Sequence, residues 1–125
     1  MLDMWTYRNE TFSQKNLSGM SIEATDGSIG KIDDATTDVG GSYIVVDTGP
    51  WILGKKVLLP AGMIRDVDFD TETVFVDRTK DQIKNAPEYD PDLHRRDESY
   101  RAEYRNQLGS YYGAGGLGYR DESLP

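Results

Sequence analysis

Apolar and polar positions alternate with a period of two along much of the first two-thirds of the chain. Met20, Ile22 and Ala24 alternate with Ser21, Glu23 and Thr25, the pattern of a strand with one buried face. Asp26-Gly27 follows at once, the strongest short-range hairpin signal. In the next run Ile29 and Ile32 are three apart, and Gly30 is placed to supply the extra residue of a bulge, bending the strand as a closing barrel requires. After a turn at Asp38-Val39-Gly40-Gly41, Tyr43-Ile44-Val45-Val46 is apolar on both faces, which predicts a strand covered twice. Thr48-Gly49-Pro50-Trp51 and Gly54-Lys55 frame a connection to Val57-Leu58-Leu59-Pro60. Val67 and Phe69 alternate with Asp66, Asp68 and Asp70, and Val74-Phe75-Val76 follows the next turn. Six short strands at hairpin spacing predict a mainly β protein, a small six-stranded antiparallel barrel.

The period then changes to that of helices. Thr79 and Gln82 form a capping-box pair, so a short helix begins there and stops before Pro87. Leu93, Asp97, Tyr100, Tyr104, Leu108 and Tyr111 recur every three to four residues, predicting one C-terminal amphipathic helix from about Asp92 to Leu108, ended by Gly109. These signals divide the chain into an N-terminal arm (1–14), a barrel (15–86) and a C-terminal appendage (87–125) whose Gly-rich tail is expected to be flexible.

Charge narrows the partners. With 14 Lys and Arg against 22 Asp and Glu, the net charge is −8. Both parts share it: 9 basic and 14 acidic residues through Ala86, 5 and 8 after it. A chain without a basic patch lacks the counterion release that drives binding to nucleic acid, so none is expected as a partner. There is no Cys and one His, which leaves no disulfide, thiolate metal site or cysteine nucleophile. The N-terminus has no apolar run of signal-peptide type and no stretch approaches the length of a spanning helix. A cytoplasmic protein without membrane insertion is the expectation.

Leu17-Ser18-Gly19-Met20, followed by Asp26-Gly27, Ile29-Gly30-Lys31-Ile32 and Asp38, resembles the opening of a PRC-barrel domain. The likeness continues through Tyr43-Ile44-Val45-Val46, Trp51-Ile52-Leu53-Gly54-Lys55-Lys56-Val57, Leu59-Pro60 and Val67-Asp68. Ala86-Pro87 and Tyr89-Asp90-Pro91 resemble a segment that often follows the barrel, so the resemblance covers roughly 15–92. The family occurs as the cytoplasmic part of the photosynthetic reaction centre H subunit, as the C-terminal domain of a ribosome maturation factor, and as small stand-alone bacterial proteins. With no spanning helix and no preceding domain in evidence, the stand-alone class is expected. The resemblance implies a six-stranded barrel acting as a docking module.

Three patterns mimic chemistry. Gly113-Ala114-Gly115-Gly116-Leu117-Gly118 fits the dinucleotide spacing, but a helix precedes it where a strand is required. Asp66, Asp68, Asp70, Glu72 and Asp77 mimic a calcium loop, yet Thr71 stands where the turn needs Gly, so the acids read as the solvent face of a hairpin. His94 lies beside Arg95 and Arg96 with no nucleophile patterned near it. No catalytic residue, metal or cofactor is therefore expected. Trp51-Ile52-Leu53 is an apolar trio in a connection, suited either to plugging the barrel or to holding a partner. Tyr100, Tyr104 and Tyr111 form a stripe that needs cover from the barrel, a second subunit or a partner, with Leu58 and Phe75 as outward acceptors. These six residues, Trp51, Ile52, Leu53, Tyr100, Tyr104 and Tyr111, are the candidate partner-binding set. The reading is a non-catalytic protein-interaction module whose partner is another protein or a second copy, as in a homodimer. The alternative is an RNA- or ribosome-associated assembly factor.

Overall fold

Every alternating run becomes a strand. A computed structural model describes residues 4–13, 15–36, 41–49 and 56–114. β1 (Ser21–Ala24) and β2 (Gly27–Ala35) form the hairpin expected at Asp26-Gly27, followed by β3 (Tyr43–Asp47), β4 (Lys56–Pro60), β5 (Ile64–Asp68) and β6 (Thr73–Val76). Their order across the sheet is β4-β3-β2-β1-β6-β5. Four pairings are antiparallel, but β1 and β6 run parallel, with Ile22 opposite Val74. The wholly antiparallel sheet expected from hairpin spacing is corrected here. Spacing constrains strands adjacent in sequence, whereas this pairing joins the first strand to the last.

Closure is corrected too. Among the described residues the ladder is an open six-stranded mixed sheet with β4 and β5 at its edges, not a barrel closed by strand pairing. Between these edges runs a single 3-10 turn, Ala61–Met63. The N-terminal segment supplies bonds there: Gly62 N–H donates to Met4 O at 2.7 Å and Ser42 N–H to Trp5 O at 2.9 Å. Arg8 Nε donates to Gly62 O at 2.6 Å, and its guanidinium pairs with Asp77. Backbone groups near an open edge are thereby satisfied by chain that precedes the first strand.

The spacing of three in β2 has a register explanation. Ile22 faces Gly30 while Glu23 faces Ser28, so Ile29 is the extra residue of a bulge. A second shift follows between Ile32 and Asp34. The bulge lets Ile29 and Ile32 both point inward, where they are 1% and 2% exposed. Gly30 sits beside it at φ +142°, and a Cβ there would lie 2.1 Å from the Asp47 carbonyl oxygen. β2 and β3 cross too closely for any side chain at this position.

The interior of the sheet is Ile22, Ile44, Val46, Leu59, Ile64, Val74 and Val76, each essentially sealed from water. Burial of each contributes about 2 kcal/mol. Leu58, expected to face outward, is buried together with its register partner Val45. Both faces of β3 are covered, as its unbroken apolar run implies, and β4 shares the cover. Phe75 does stay half-exposed.

The chain divides into two compact units, Met1–Ile83 and Lys84–Pro125. α1 (Lys80–Lys84) starts with the capping box in place: Thr79 N–H donates to Gln82 Oε1 at 2.9 Å, and Gln82 N–H to Thr79 Oγ1 at 3.1 Å. The single helix expected after Asp92 is two helices, α2 (Pro91–Arg96) and α3 (Glu98–Ala114). Asp97 causes the break. Its backbone is extended (φ −126°, ψ 106°), and its Oδ1 accepts from Tyr100 N–H at 3.1 Å, capping α3. Nor does Gly109 end the helix; α3 runs through it, with nothing within 4 Å of where a Cβ would stand. Gly109→Ala is expected to raise the thermal midpoint of helix loss, stabilising by about 0.5–1 kcal/mol. A lowered midpoint would mean that Gly109 is needed as it stands.

Candidate interaction surfaces

Of the six candidate residues, Trp51, Ile52 and Leu53 lie outside the described residues. The three tyrosines fall on α3, where an aromatic cluster forms within the second unit. Tyr104 is 3% exposed and donates to Pro87 O at 3.0 Å. Tyr100 stacks on it with ring centres 5.7 Å apart and planes within 7°, and the Tyr100 hydroxyl accepts from Asp90 N–H at 2.9 Å. Tyr89 lies 5.7 Å from Tyr104 on another side and meets His94 edge-on at 5.2 Å. Burial, reinforced by neighbouring hydroxyls and Glu88, pushes the Tyr104 phenol far above its ordinary range. Tyr111 is half-exposed and edge-on to Tyr112 at 4.9 Å.

Among the described side chains of α3, Tyr104, Leu108 and Tyr112 are the buried ones, spaced by four. The expected stripe stepped from Leu108 to Tyr111; either step suits a helix of 3.6 residues per turn, and packing selects Tyr112. Tyr104 thus has little surface left for a partner, whereas Tyr100 and Tyr111 keep some. Tyr89 and Tyr112 are members that periodicity missed. Tyr89 precedes the helix pattern, but its place in Tyr89-Asp90-Pro91, directly before an N-cap Asp and a Pro at the first helical position, was a usable signal.

His94 packs on the edge of this cluster, against Tyr89. Burial, and then the positive charge of Arg101, hold its imidazole below the ordinary 6.5. Arg101 in turn donates to the carbonyls of His94 and Arg95, at 2.8 and 3.3 Å, closing the end of α2. The folded chain therefore binds fewer protons than the unfolded chain once pH falls below 6.5. Stability is complete above that value and lost as pH falls through the lowered pKa. Helix melting should start at a lower temperature at about pH 5 than at about pH 7.5, and His94→Phe should shrink the His94 contribution to that difference. An undiminished difference would assign the pH dependence to other groups.

In the first unit the outward face of β1, β6 and β5 carries Glu23, Phe75 and Asp66, with Glu23 and Asp66 both in register with Phe75. The Arg65 guanidinium lies over the Phe75 ring at 5.5 Å. This half-exposed aromatic flanked by charges has the composition of an interface anchor. The acids after β5 form a turn: Asp68 Oδ1 accepts from the N–H groups of Asp70 and Thr71 at 3.0 and 3.2 Å. Those bonds, Thr71 first, draw the Asp68 carboxyl below its ordinary value. Among the described residues no three His, Asp or Glu gather so as to hold a metal ion. The dinucleotide-like glycine pattern begins inside α3 at Gly113 and then leaves the described residues. No described helix is long and apolar enough to cross a membrane.

A bulged, open six-stranded sheet, opened by a tight hairpin and joined across its middle by a parallel first-to-last pairing, defines a small β domain, and a helical unit follows it in the chain. The chain belongs to the PRC-barrel domain family, whose pattern matches residues 9–83. It is 33% identical over 98 residues to an uncharacterised protein of Deinococcus radiodurans, covering 76% of this chain. The chain spans about a third of that relative's length, 33%. Among solved structures it is similar to RimM of Pseudomonas aeruginosa, a protein assigned to 16S ribosomal RNA processing, at 22% identity and a TM-score of 0.44. That likeness covers 52% of this chain and 42% of the other.

Proposed function

We propose that the protein is a non-catalytic docking module of the bacterial cytoplasm, binding another protein or a second copy of itself through aromatic and apolar surface. Membership of the PRC-barrel family over residues 9–83 carries the reading, since the family implies protein interaction. Phe75, Tyr100 and Tyr111 support it as partly exposed aromatics on strand and helix, and Trp51-Ile52-Leu53 adds an apolar trio in a connection between two strand runs of the sequence. The net charge of −8 opposes nucleic acid as the direct partner.

The reading is tested by capture on the immobilised chain from extract of the native host, with sedimentation of the free chain reporting self-association. A protein retained at fixed stoichiometry, or a defined dimer, is expected. Trp51→Ala combined with Tyr100→Ala should weaken either by about tenfold while circular dichroism stays unchanged. Retention of RNA or ribosomal particles that dissociate steeply with salt would overturn the proposal in favour of an assembly factor.

A further inference from the structure

We propose that the cleft between the N-terminal segment and the end of β2 receives an arginine side chain of the docked protein. This rests on the docking reading and specifies its chemistry. The cleft holds about 280 Å³ and is lined by Tyr7, Ser13, Lys15, Asn16, Leu17, Asp34 and Ala35. Leu17 is buried and gives an apolar floor. Tyr7 is held as a wall, because its hydroxyl donates to Thr36 O at 2.6 Å. Asp34 is exposed; its Oδ1 accepts from Ala35 N–H at 2.9 Å, so Oδ2 is the oxygen it can offer. Tyr7 and Asp34 line the same space, and burial and then the Asp34 charge raise the Tyr7 phenol to about 12.

An aromatic wall, a carboxylate and an apolar floor in a space for one side chain suit a guanidinium. The planar cation stacks on the ring, donates to the carboxylate and lays its methylene stem on the floor. An anion is the rival ligand, since Lys15 lines the same cleft. The Lys15 ammonium, though, is held over the Phe69 ring, 5.6 Å from its centre. The net charge of −8 also draws cations rather than anions. Asn16 Oδ1 accepts from Ser18 N–H at 3.0 Å, so the group Asn16 offers is its NH2. That donor suits a backbone carbonyl next to the arginine, which favours an arginine within a chain over a free guanidine.

The test titrates the isotope-labelled full chain with N-acetyl-arginine methylamide, N-acetyl-citrulline methylamide and methylguanidinium, following backbone amide shifts. Saturable shifts at Asn16, Leu17, Asp34 and Ala35 are expected with the arginine derivative. The uncharged citrulline derivative, methylguanidinium alone, and the arginine derivative on Asp34→Asn should each bind about tenfold more weakly. Lys15→Ala should bind at least as tightly as the parent. Absent or surface-wide shifts, binding lost in Lys15→Ala, or methylguanidinium binding as well as the arginine derivative would each overturn the proposal. If a captured protein persists while the cleft binds nothing, only the cleft assignment fails. If the cleft saturates but no protein or second copy is ever held, the docking reading fails instead.

Discussion

Gly30→Ala is expected to destabilise the protein by about 4 kcal/mol or more, read as a large drop in urea midpoint. The argument is geometric. A methyl at this position meets the Asp47 carbonyl oxygen at 2.1 Å and the Thr48 Cα at 3.0 Å, backbone atoms of the last residue of β3 and of the residue after it. A flexible side chain could swing aside; a ladder partner cannot. Relief would require moving β3 away from β2 and losing the pairing of Lys31 with Asp47. Gly49 is the control. It also has a positive φ, +56°, but nothing stands within 4 Å of its Cβ direction. Gly49→Ala should cost only the left-handed backbone preference, about 1–2 kcal/mol. Equal losses at the two positions would show that the close crossing at Gly30 is not what limits it.

Tyr104→Ala is expected to remove about 3–5 kcal/mol of stability, and with it much of the amide-exchange protection of α3. The ring is nearly sealed from solvent, is flanked by Tyr89 and Tyr100, and ties the helix to the Pro87 carbonyl. Tyr104→Phe keeps the packing and loses only that hydrogen bond, about 1 kcal/mol. Tyr100→Ala should fall between, because its ring is stacked on one face but partly exposed. If Tyr104→Ala kept α3 fully protected yet abolished partner capture, Tyr104 would be an interface residue and the packing account would be wrong.

The difference between these residues shows what a single sequence carries and what it does not. Alternation located β1, β5 and β6, because burial of one sheet face imposes a period of two on the residues themselves, and unbroken apolar runs between turn residues located β3 and β4. Asp26-Gly27 located the first hairpin because only certain residues accept its backbone. The three-residue step from Ile29 to Ile32 announced a bulge, and the observed register puts Ile29 as the extra residue beside Gly30. Strand direction was not legible for β1 and β6, since no local pattern distinguishes a parallel from an antiparallel partner fifty residues away. Leu58 was placed outward by alternation, but burial of a second face depends on what the remainder of the chain brings to it. Asp97 interrupts a stripe that looks continuous, because an Asp can sit on the polar side of a helix or cap the next one. Aromatic content marked α3 as a region of interest, yet which tyrosine packs and which stays available is decided in three dimensions. The cleft at Tyr7 and Asp34 had no sequence signature, as its walls are 27 residues apart.

Docking through aromatic surface is tested most directly by hydrogen–deuterium exchange of the full chain, free and in complex with the protein it retains or with its own second copy. The account predicts new protection on complex formation around Trp51-Ile52-Leu53, Phe75 or the Tyr100–Tyr111 side of α3, insensitive to moderate salt. Protection confined to segments bearing Lys55-Lys56 and Arg95-Arg96, appearing with RNA and vanishing as salt is raised, would contradict it.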